Sequence, residues 1–219
     1  MHFTILSLLL VLAGFLAMPA CADPLCGSLK NHYGPFDYTN VDDYKNRLPI
    51  VESYHFTLEV ESLIRGKSGA LWAELDYTLR AFPNHHRALY AMLRYDIRER
   101  QKSQQINRPY QPPVSERGFP VTAACYFDRA LRWRPNDPNV HLIYGIYLQR
   151  TGKLDQALER YKISEKLQPN SADLQYNLGL AYFQKKDYML AKQHARRAYQ
   201  LGYPLPGLRN QLKRVGQWP

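Results

Sequence analysis

The sequence predicts an all-α protein, a row of stacked helix-turn-helix units preceded by an irregular arm. Three observations carry this. Residues 137–170 and 171–204 align with one another at a constant offset of 34. Apolar residues within such stretches recur at helical spacing. Prolines fall where each stretch ends, as helix stops should. Self-similarity at a fixed period of this length marks a repeat array. The 219-residue chain is 45% hydrophobic and 22% charged, which is ordinary for a globular protein and argues against disorder of the whole chain.

The first element is a leader. Ile5 to Leu16 is an apolar run, followed by Met18 and Pro19 and then Ala20-Cys21-Ala22. The run is short for the roughly 20 residues of a membrane span, and Pro19 stops it. Ala20 and Ala22 form the small-x-small pattern of signal-peptide cleavage, with the cut before Asp23. Residues 1–22 are therefore expected to be a signal peptide and the mature chain periplasmic or secreted. Two alternatives stay open: an uncleaved anchor, and an outer-membrane lipoprotein attached through Cys21. For the second, Met18 and Pro19 make a poor lipid-attachment motif. Cleavage leaves Cys26 and Cys125. An even count in an exported chain predicts a disulfide; the alternative is a buried packing Cys125 with Cys26 free.

Residues 23–51 are rich in turn formers and match no repeat, so they are expected to form an irregular arm. Four units are expected next: 52–85, 86–137, 138–171 and 172–205. The third and fourth are the clearest. Gly145 and Gly179, Leu148 and Tyr182, and Ala157 and Ala191 each lie 34 apart. In the first, Gly66 marks the turn and Pro83 the end. In the second, a helix over 86–100 and another ending at Pro135 enclose 18 extra residues, at about 101–118. Pro109, Pro112 and Pro113 keep that insertion extended, and Tyr110 is expected as an exposed aromatic on it. The tail from 206 to 219 has Leu208, Leu212 and Val215 at helical spacing and reads as a capping helix.

These units resemble the tetratricopeptide repeat. Its small residues at positions 8, 20 and 27 are Gly145, Ala157 and Ser164 in one unit and Gly179, Ala191 and Ala198 in the next. Close helix packing needs such residues. Glu59, Leu71 and Ala195 depart from the pattern. The arm also resembles the opening of exported proteobacterial tetratricopeptide proteins, which implies no activity. The resemblance implies a right-handed α-solenoid whose first helices line a concave, partner-binding face. The residues so placed include Phe56, Val60, Arg87, Tyr90, Arg94, Leu142, Ile146, Tyr176, Leu180 and Phe183. The family's groove for a terminal carboxylate carries Lys and Asn at positions 5 and 9 of its first repeat. Phe56 and Val60 stand there, so that specificity is not implied.

No catalytic motif, Gly-rich phosphate loop or metal-ligand spacing is present, so neither an enzyme nor a cofactor is expected. A metal site at His55, His85 and His86 is the remaining alternative of that kind. Residues 120–219 carry 16 basic and 7 acidic side chains, a surplus of nine. That half could meet anionic lipid or an acidic protein; export argues against nucleic acid. The function expected is an exported scaffold binding a protein or peptide through an apolar groove. The alternative is an outer-membrane assembly accessory of the pilus or secretin type.

Overall fold

The computed structural model describes residues 25–218. The expected signal peptide, its cleavage point and Cys21 lie outside the described residues. The fold is an α-solenoid, and all of its regular elements among the described residues are helices. They are α1 (Val41–Asn46), α2 (Leu48–His55), α3 (Leu58–Glu61), α4 (Leu71–Ala81), α5 (His86–Gln105), α6 (Ala123–Trp133), α7 (Pro138–Arg150), α8 (Leu154–Leu167), α9 (Ala172–Gln184), α10 (Tyr188–Gln200) and α11 (Gly207–Arg214). None of them is long and apolar enough to cross a membrane.

The hairpins α7–α8 and α9–α10 repeat each other because the same local chemistry recurs. Asp137, Ser171 and Asp187 accept backbone N–H groups at the starts of α7, α9 and α10, satisfying donors a helix leaves open. Pro138 opens α7, where its missing N–H costs nothing. Small residues then set the packing distance. A Cβ on Gly145 would meet the Tyr161 ring at 2.3 Å, and one on Gly179 would meet Leu208 at 2.5 Å. The two turns need a left-handed residue. Gly152 takes it at φ +80, and Lys186, 34 residues later, takes it at φ 61.

The first unit departs from a simple hairpin. Its first helix begins at Leu48, inside the stretch expected as arm, and breaks at Phe56. Thr57 then caps the single turn of α3. The next helix, α5, runs five residues beyond 100, and the loop after it folds back as a tight turn. There Ser115 N–H donates to the Phe119 carbonyl at 2.8 Å, and Val121 N–H donates to the Pro113 carbonyl at 2.8 Å.

The arm and the inserted loop lie on the second helices of the hairpins. Cys26 is bonded to Cys125 of α6. Arg129 donates to the carbonyls of Cys26 and Ser28, and Trp133 Nε1 donates to the Phe36 carbonyl. Phe36 N–H bonds the Ala81 carbonyl at the end of α4. Phe119 is buried between these elements, its ring against Gly27.

Two stability measurements follow. Replacing both Cys26 and Cys125 by Ser removes a crosslink closing about 100 residues and should cost about 2–5 kcal/mol in urea unfolding. It should also make the arm cleavable by trypsin at Lys30; equal stability and protease resistance would show the crosslink to be dispensable. Lys186→Gly relieves a left-handed lysine and should gain up to about 1 kcal/mol; a loss would mean that the Lys186 side chain contributes more than its backbone costs.

Candidate partner-binding groove

Helices α5, α7 and α9 stand side by side and enclose a depression of about 360 Å³. Its lining is Tyr90 from α5, Leu142, Ile146 and Arg150 from α7, and Asp173, Tyr176, Asn177 and Leu180 from α9, with Tyr203 from the turn after α10. Five of the ten residues expected on the concave face therefore meet in one place. Ile146, Leu180 and Tyr90 are half-buried, while Leu142 and Tyr176 show only an edge.

One wall is stiff. The Tyr176 ring stacks on Tyr203 with centroids 3.9 Å apart. The Tyr176 hydroxyl accepts Leu208 N–H at 3.2 Å, which ties the wall to α11. Burial raises both phenols, Tyr203 to about 12, so both stay neutral hydrogen-bonding groups at physiological pH. The opposite wall is cationic at its edge. Arg150 donates to the Tyr90 hydroxyl at 3.3 Å, and Arg94 lies over the Tyr90 ring at 5.4 Å.

The other expected residues are elsewhere. Phe56 and Val60 are in the core, 2% and 0% exposed, and touch no partner. The break at Phe56 turns both inward against α4 and α5, where a continuous helix would have presented them to the groove. Arg87 and Arg94 bind Glu61, fastening α3 to α5, and Arg87 also reaches Glu52 at 3.1 Å. The Arg87 guanidinium holds the Glu61 carboxyl below its ordinary range. Phe183 packs on Tyr188 in the terminal cluster. Tyr110 was expected to be exposed; it is half-buried, with Arg100 4.7 Å from its ring centroid, because the prolines turn the loop back onto α5. Asp173, at position 2 of the fourth unit, is expected on the concave face and is found there; Arg150, Asn177 and Tyr203 were not expected in the groove. The signal for Arg150 was its place one turn after Ile146. Tyr203 stands where the preceding unit has Pro169.

The three histidines of the metal alternative are engaged separately. His55 bonds Glu74 at 2.7 Å and stacks on Tyr77. His86 bonds Asp137 at 2.9 Å. His85 accepts Ala88 N–H on Nδ1, capping α5, so its proton is on Nε2 facing Glu52 at 3.1 Å. Among the described residues no three His, Cys, Asp or Glu side chains converge as a metal site.

Residues 146–186 match the TPR repeat family model. That segment is similar to a tetratricopeptide repeat. It begins on α7, includes α8 and closes just past α9. Among solved structures, the chain is similar to MamA MSR-1 C2 at 18% identity, over 69% of this chain and 72% of that one, with TM-score 0.43. It is similar to MamA AMB-1 at 19% identity, over 60% and 66%, with TM-score 0.39. No curated protein sequence matches.

Three histidines generate a pH prediction. Burial lowers the pKa of His85, His141 and His194. Above the unfolded value near 6.5 both states are neutral and nothing is gained or lost. Below it the unfolded chain binds protons that the folded chain refuses, so stability falls with pH. A second fall should begin below about 4. Burial alone would raise the Asp37 carboxyl, but Arg134, Thr39 and Asn84 outweigh it and hold it near about 2. Asp137, bonded by His86, is also lowered. Thermal melts from neutral to acidic pH should show both stages, and His85→Gln, which keeps an acceptor and a donor, should shrink the first. A flat profile between neutrality and pH 5 would contradict the assignment.

Proposed function

We propose that this chain is an exported scaffold that holds a segment of a protein partner in the α5–α7–α9 groove and performs no chemistry of its own. One observation carries the reading. Three successive units present half-buried apolar and aromatic side chains on one open surface, while the chain's own covers are fastened elsewhere. The arm and the inserted loop are bonded to α4 and α6, and neither contributes to the groove lining. An apolar concavity left open in water favours a partner that fills it. A groove of this size takes an extended or helical segment anchored by a few apolar side chains. The tyrosines suit that task, because they offer large contact area with little side-chain entropy to lose. Export rests on the leader sequence alone.

Photo-crosslinking residues at Ile146 and at Leu180, in cells, should yield the same discrete adducts. A control position on α10, Gln193, should not. Adducts that appear equally at Gln193, or at neither groove position, would defeat the reading.

A further inference from the structure

We propose that the segment held in the groove carries an acidic side chain, which docks between Arg150 and Lys153. The inference rests on the groove reading above and names the chemistry of its ligand. A second depression, of about 520 Å³, lies between the C-terminal part of α5, the start of α6 and the α7–α8 turn. Arg150 lines both depressions, so the two adjoin at its side chain.

Two of the three cations on this wall, Arg150 and Lys153, have no carboxylate partner among the described residues. Arg100 is matched by the buried Asp96 at 2.9 Å. Asp96 Oδ2 also accepts the Tyr147 hydroxyl at 2.9 Å, while its buried Oδ1 has no partner among the described residues. Arg150 has only the neutral Tyr90 hydroxyl as polar partner among the described residues, and Lys153 has no side-chain partner there. Asp155, two residues beyond Lys153, is bonded to Lys185 at 2.6 Å. The other acidic group of the surface, Asp173, belongs to α9 in the groove itself. Two exposed cations therefore flank an opening whose floor includes Ile97 and Ala124. A carboxylate there gains charge-assisted bonds from a guanidinium and an ammonium, and its apolar neighbours reach the groove. A basic segment is repelled at the same place.

A phage-displayed random dodecapeptide library, selected on the full mature chain, tests this. The expected peptides combine aromatic or aliphatic residues with a nearby Asp or Glu. Their synthetic versions should bind the Arg150→Ala, Lys153→Ala double variant at least about tenfold more weakly, a loss of about 1.4 kcal/mol. Changing the peptide's own Asp to Asn or Glu to Gln should cost as much, and added salt should weaken the wild-type complex alone. Both protein positions are exposed, and an unchanged thermal melt checks the variant's fold. Groove-binding peptides without acidic residues, or with equal affinity for the double variant, would overturn this inference and leave the groove reading standing. A selection that enriches nothing would overturn both.

Discussion

Asn84 donates from one amide nitrogen to two carboxylates, Asp37 at 2.8 Å and Asp137 at 3.1 Å, while its oxygen accepts Tyr38 N–H at 3.0 Å. Its side chain is fully buried. Each carboxylate has a second partner: Arg134 for Asp37 at 2.6 Å, His86 for Asp137 at 2.9 Å. These contacts join the arm, the α4–α5 turn and the α6–α7 turn at one point. Two buried carboxylates this close to one another are tolerable only if every partner is present. The knot therefore works as a register pin. Displacing any one of the three segments leaves a buried charge unpaired in the other two.

The same pin decides where the arm can go. With Tyr38 on Asn84 and Phe36 on Ala81, the preceding residues run along α6 to the Cys26–Cys125 bond. Asp76 repeats the device for the inserted loop. It accepts from Arg80, Ser115 and Tyr126 at once, binding α4, the loop and α6. The arm and the Ser115 end of the loop are thus held on α4 and α6, while Tyr110 rests on Arg100 of α5. The partner side is left to α5, α7 and α9.

How much of this could be read from the residues depends on which contacts repeat. Gly145, Gly179, Ala157 and Ala191 obey a packing rule that recurs every 34 residues, so α7 to α10 were visible in the spacing. The disulfide was visible in the cysteine count. Leu142, Ile146, Tyr176 and Leu180 were placed on the concave face by the family resemblance, and the structure brings them together. Phe56 and Val60 do not, because the break at Thr57 is a local capping event with no counterpart in the other units. The knot around Asn84 was invisible for a different reason. Its bonded members are up to 97 residues apart in sequence, and no period relates them. Asp37 falls in a stretch that read only as turn formers and His86 at the start of an expected helix, and their partners are set by tertiary packing.

The basic surplus of the C-terminal half takes on a narrower meaning in three dimensions. Of its nine arginines, Arg134, Arg150, Arg160, Arg196 and Arg209 lie over aromatic rings at the surface, while Arg129, over Phe119, is buried. Stacked guanidinium groups of this kind cover ring faces that would otherwise be exposed, and keep their charge in water. Much of the surplus is thus how a tyrosine-rich helical array coats itself, which requires no polyanionic surface as partner. Arg150 is the exception that bears on function. The ring beneath it, Tyr90, belongs to the preceding unit and lines the groove. Arg94 already lies over that ring, so the ring is covered without Arg150. Moving Arg150 from Tyr90 toward an incoming carboxylate therefore exposes little, and a charge-assisted bond replaces a weaker contact to a neutral hydroxyl.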